Sequence, residues 1–154
     1  MKVVSKEVVI SYPTQEVPRW SHKVNRWNQI DALAFVVLEA YWELKEHLPP
    51  PHQIILDSLH CSNETDWAFV RSNATSPTKF VHTLPNIRGA SLVQVMDWQG
   101  PLTCFQSSTP EDALESAKNY HSQGITWLVT VTRQEPLLQN VSPSHYNVTF
   151  YVIS

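Results

Sequence analysis

Only three glycines occur in the 154 residues, Gly89, Gly100 and Gly124, and they stand far apart. Loops that cradle phosphate need glycines close together, because the backbone N–H groups must approach the anion unobstructed. Neither G-x-G-x-x-G nor the Walker A pattern is present, so both familiar nucleotide-binding loops are excluded. The chain is nonetheless built to fold: 42% of it is hydrophobic and its net charge is only -3. That balance is too apolar for a disordered chain, and the length suffices for one domain with a core. Two cysteines exclude both a disulfide scaffold and a Cys-rich zinc module.

Charge narrows the partners. With 11 Lys and Arg against 14 Asp and Glu, the chain offers phosphate backbones no general attraction, and no nucleic-acid partner is expected. One segment departs from this balance: Arg19-Trp20-Ser21-His22-Lys23-Val24-Asn25-Arg26-Trp27 interleaves basic and aromatic residues. It reads either as a solvated loop with packed aromatics or as a docking patch for an acidic partner. The apolar run at the N-terminus is broken early by Ser5, Lys6 and Glu7, unlike a signal peptide. The longest apolar stretch, Ala32 to Leu38, is far too short to span a membrane. A cytoplasmic protein without a membrane span is expected. The sequons at Asn63, Asn73, Asn140 and Asn147 then read as ordinary loop and strand polarity.

The periodicity predicts eight elements without a repeat or linker. Val3 to Ile10 reads as a strand ended by Tyr12-Pro13. Ile30, Leu33, Ala34, Val37, Leu38, Tyr41 and Leu44 recur at helical spacing, predicting a helix from Asn28 to His47. Asn28 and Asp31 resemble a capping pair, and Pro49-Pro50-Pro51 stops the helix. Gln53 to Ser58 reads as a buried strand. A polar loop follows from Leu59 to Phe80, with a short helix around Thr65 to Val70. Pro85 to Trp98 reads as a helix with Ile87, Leu92, Val93, Val95 and Met96 as its apolar set; Gly89-Ala90-Ser91 suit close helix approach. Gly100-Pro101 turns into a strand from Leu102 to Gln106.

The next helix is the best marked. Thr109 sits at the N-cap, Pro110 at N1, and Glu111 and Asp112 complement the dipole. Ala113, Leu114, Ala117 and Tyr120 form its packing stripe, and Gly124 is its expected stop. Ile125 to Arg133 and Tyr146 to Ile153 alternate as strands. The order β-α-β-α-β-α-β-β implies an α/β domain with helices on both faces of a sheet.

The run Ser76-Pro77-Thr78-Lys79-Phe80, then Pro85-Asn86 and the small residues Gly89-Ala90, precedes an apolar helix. The turn Gly100-Pro101 and Leu102-Thr103-Cys104-Phe105-Gln106 follow it. Over about residues 28 to 133 this order resembles the ketoacyl synthases, closest to the divergent synthase-like N-terminal group of polyketide and aryl-polyene-type pathways. The resemblance implies a thiolase-like N-terminal half, residues 1–154, with a mixed five-stranded sheet. It implies that Leu102, Thr103, Cys104, Phe105 and Gln106 form the strand that pairs antiparallel across a dimer interface. It also implies a pathway of type II fatty-acid or polyketide-like synthesis, with a homodimer or a heterodimer with a synthase-type enzyme, and contact with an acyl carrier protein. Arg19, Lys23 and Arg26 are the candidate docking residues for that carrier.

The departures from the family bear on activity. An active synthase carries a nucleophilic Cys at a strand-to-helix elbow, where a helix N-terminus lowers its pKa and amides stabilise an oxyanion. The matching position here is Thr109, explained fully as a helix cap, and Pro110 behind it removes an amide donor. The two catalytic His residues of the family's C-terminal half are expected to have no counterpart here. A non-catalytic subunit without a cofactor is therefore expected, the alternative being an enzyme that handles acyl thioesters through Cys104 or Cys61 as a relocated nucleophile. Cys104, five residues before Thr109, also reads as a packed small hydrophobe on its strand. His60-Cys61 with Asp57 and His82 has no metal-ligand spacing, so no metal is expected. His121 suits a helix C-terminus. Glu39, Glu43 and Glu46 follow the polar side of the first helix and are expected to face solvent. No Gly-x-Ser-x-Gly elbow anchors a hydrolase triad.

Overall fold

A computed structural model describes residues 1–11, 16–59, 70–73, 75, 85–135 and 143–154. Five strands are formed: β1 (Lys2–Ile10), β2 (Gln53–Asp57), β3 (Leu102–Phe105), β4 (Thr126–Arg133) and β5 (Ser144–Ile153). Three α-helices lie wholly among the described residues: α1 (Ala32–Leu44), α2 (Pro85–Met96) and α3 (Pro110–Tyr120). The order along the chain is the expected one. The short helix expected around Thr65 to Val70 falls almost wholly outside the described residues.

The strands form one mixed sheet in the order β1-β5-β4-β2-β3. The three central and edge strands β4, β2 and β3 run parallel, while β5 is antiparallel to both β4 and β1. From β2 the chain steps outward to β3, then back across β2 to β4. Right-handed crossovers in opposite directions put their helices on opposite faces, and the packing agrees. One face buries Val8, Ile54, Leu56, Trp127, Val129 and Phe150 beneath α1 and α2. The other buries Ile55, Leu128 and Ile153 beneath Ala113 and Ala117 of α3. β4 is buried on both faces, Thr126 and Thr130 included, as a central strand must be.

Local chemistry corrects several details. Asp31, not Asn28, is the N-cap residue of α1, and Trp27–Gln29 forms a separate 3-10 turn. A further 3-10 turn, Lys45–His47, completes that helix's reach. Helix α3 ends on His121, whose extended backbone closes it; Gly124 comes later, at φ +72 in the turn into β4. Tyr120 lies off the packing stripe and is 56% exposed, its ring edge-on to Phe105. Finally, Gly89 serves helix-to-strand rather than helix-to-helix approach, since a Cβ there would stand 2.6 Å from Leu102 Cδ2.

Candidate functional site

Neighbouring parallel strands β2 and β3 send their chains to opposite faces, β2 to α2 and β3 to α3. In open α/β sheets such a divergence leaves a crevice at the carboxyl ends of the strands. Asp57 closes β2 there and is wholly buried. Its Oδ1 accepts from Ser107 N at 3.0 Å and from Leu59 N at 3.1 Å, and its Oδ2 accepts from the Ser107 hydroxyl. A single carboxylate thus ties the exits of both strands together. Leu59 is held in the left-handed region at φ 45, a conformation costly for a residue with a Cβ and propped here by the Asp57 bond.

Beside this clamp lies a buried ion pair. Arg88 on α2 sits with Nε 3.5 Å from Oδ2 of Asp31, the N-cap residue of α1. Its Nη1 also donates to Ser58 Oγ at 3.4 Å. The pair ties two helices to the end of β2. Asp31, Asp57, Arg88 and Ser107 are far apart in the sequence, so no local pattern points to them together. The one available signal was Asp57, an acid closing the apolar run Ile54-Ile55-Leu56.

The expected catalytic positions take the following places. Thr109 Oγ1 accepts from Asp112 N at 3.1 Å, so this hydroxyl caps α3. Cys104 is half-buried on β3; burial pushes its thiol up, and the nearby Arg88 charge only partly opposes this. A raised thiol is a poor nucleophile at neutral pH. Cys61, His60 and His82 lie outside the described residues. Among the described residues, no group of three or more His, Cys, Asp and Glu side chains is placed to hold a metal. No described helix is long and apolar enough to cross a membrane. Of the first helix's acids, Glu39 is half-buried and accepts from Trp20 Nε1 at 2.7 Å rather than facing solvent. Glu43 pairs with Lys6 at 2.9 Å.

Strand β3 is a sheet edge, and Gln106, expected within it, lies exposed just past its end. Ile54 N bonds Pro101 O and Ser58 N bonds Phe105 O. In a parallel ladder the intervening residues of the strand turn their amide and carbonyl groups the other way. Leu102 and Cys104 therefore aim theirs away from β2, on the side where no strand among the described residues pairs with β3. β3 carries no charged side chain. The opposite edge, β1, carries Lys2, Lys6 and Glu7, the kind of charge that discourages strand addition.

No protein-family model and no curated protein matches the sequence. Among solved structures it is similar to a ketosynthase (ApeO) in complex with its chain length factor (ApeC) from Xenorhabdus doucetiae. The TM-score is 0.57 at 13% identity, over 79% of this chain and 58% of that one. This chain thus spans less than two thirds of the matched chain. The fold is ketosynthase-like: a mixed five-stranded α/β sheet with helices on both faces.

Proposed function

We propose that this chain is a non-catalytic, ketosynthase-like subunit, residues 1–154 forming one half-domain, that pairs with a synthase-type chain through Leu102–Gln106. The observation carrying this reading is the contrast between the two sheet edges: β1 is guarded by charge and β3 is bare. An uncharged edge with outward backbone donors and acceptors is a template for another strand. The structural neighbour is itself an assembly of a ketosynthase with a chain length factor, which supports a synthase-type partner.

The absence of catalysis rests on Thr109 and Cys104. The Thr109 hydroxyl is engaged as a cap, and Pro110 takes away an amide that an oxyanion site would use. Burial raises the Cys104 thiol, which weighs against a relocated nucleophile. The setting is a type II fatty-acid or polyketide-like pathway in the cytoplasm, with an acyl carrier protein meeting the exposed Arg19, Lys23 and Arg26.

Co-expression with candidate synthase chains, affinity capture and native mass measurement test the reading. A stoichiometric complex with a synthase-type chain, and no acyl adduct on this chain after incubation with an acyl-thioester donor, is expected. A monomer that captures none of them, or an acyl adduct lost in Cys104→Ala, overturns it.

A further inference from the structure

We infer that the chain has a second interaction surface, a basic and aromatic platform on the β1 side of the fold, that binds an acidic protein segment. It deepens the carrier-docking part of the proposed function by adding residues from α1 and its 3-10 extension. It does not depend on pairing at β3.

The platform is fixed by its aromatic residues. Trp20 is fully buried, edge-on to Phe35 at 5.3 Å between ring centroids, with its indole N–H held by Glu39. This anchor presents Arg19, His22, Lys23 and Arg26 at the surface, all exposed. Trp42 of α1 then joins two parts of the patch. The His22 ring meets it edge-on at 5.9 Å, and Lys45 Nζ stands 3.6 Å from its centroid. The cations are accordingly carried on a packed base, which lowers the ordering cost of binding.

The nearby acids do not cancel the patch. Glu39 is engaged by Trp20 and Glu43 by Lys6. Glu46 is exposed beside Lys45, but Arg19, Lys23 and Arg26 still outnumber it. From Val17 to Ile30 the sequence holds Arg19, Lys23 and Arg26 and no acid, with the exposed Glu16 just before it. Charge complementarity favours an acidic protein. The net charge of -3 weighs against a nucleic acid, whose extended charge would meet repulsion beyond the patch.

Position gives this surface its use. Helix α1 packs on β1 and β5, and Lys2 and Lys6 of β1 bond His47 O and Glu43. β3 lies at the other end of the sheet. Both surfaces are thus available at once, and the chain can hold a strand partner while an acidic partner docks.

Fluorescence anisotropy of a labelled oligoglutamate peptide tests the platform, with single-stranded oligothymidylate as the comparison. The expected result is peptide binding that weakens as salt is raised. The exposed triple variant Arg19→Glu, Lys23→Glu, Arg26→Glu should weaken it about tenfold or more. Lys45→Gln should weaken it less, and circular dichroism confirms that each variant is folded. Absence of peptide binding, equal binding by the triple variant, or tighter binding of the oligonucleotide overturns the inference. Partner capture by Cys104→Pro reads the β3 surface separately, because that change leaves the platform intact.

Discussion

The Arg88 guanidinium and the Asp31 carboxylate meet at 3.5 Å with side chains only 3% and 2% exposed. Removing one partner of a buried pair strands the other charge, at a cost of about 3–5 kcal/mol. Arg88→Met and Asp31→Leu should each destabilise the fold by that order. The double variant, which buries no charge, should recover most of the loss. Denaturant titration of the three variants measures this, and equal losses in single and double variants would contradict it.

The contact of Gly89 with Leu102 predicts a smaller effect. An added Cβ would meet the flexible tip of Leu102 rather than backbone. Overpacking of that kind costs about 1–3 kcal/mol, while Ala gains about 1 kcal/mol over Gly in a helix. Gly89→Ala should therefore lose no more than about 2 kcal/mol. Trimming the neighbour in a Gly89→Ala, Leu102→Ala double variant should abolish the penalty of adding the methyl, read by thermal melts in each Leu102 background.

Neither contact is legible in the sequence alone, whereas other features are. The element order and the cap at Thr109 were legible because periodicity, proline at N1 and capping chemistry are local signals. Asn28 offers an equally good local capping pattern, but the helix starts after Asp31, with Trp27 and Ile30 packed against the core before it. The Asp57 clamp and the Arg88–Asp31 pair were hidden, since each joins residues that only the crossovers bring together. The bare β3 edge became visible only with the strand order, which periodicity does not specify.

At the far end of β4, Glu135 gives the chain a sign for its acid response. Burial pushes this carboxyl up, but hydrogen bonds from the His145 ring and backbone N–H outweigh it and hold the group below its ordinary 4.5. A lowered folded-state pKa stabilises the protein above the unfolded value, and the gain is lost as pH falls through the folded one. Denaturation between pH 6 and about pH 3 should show this loss in the native chain and a shallower one in Glu135→Gln. Identical slopes would remove Glu135 from the acid response.

Cys104 should be slow to alkylate. Its thiol lies above the ordinary 9.0 through burial, with Arg88 pulling the other way. The thiolate fraction near pH 8 is then below that of free cysteine, and iodoacetamide should modify Cys104 more slowly than free cysteine. Peptide mass mapping separates it from Cys61. Modification faster than that of free cysteine would show an activated thiol and revive the acyl-thioester enzyme.

Strand β3 offers a test in which two adjacent prolines should behave oppositely. The amide of Thr103 points toward β2, whereas that of Cys104 points to the open side. Proline at 103 removes an internal ladder bond, while proline at 104 removes only an outward donor, which edge strands tolerate. Thr103→Pro should lower stability by about 3 kcal/mol or more, as proline does where a backbone bond is lost. Cys104→Pro should cost much less and should still weaken capture of the synthase-type chain. Cys104→Ala, which keeps the N–H, should leave capture intact and so separates loss of the amide from loss of the thiol. If Cys104→Pro folds and captures its partner as well as Cys104→Ala does, strand pairing at this edge is excluded.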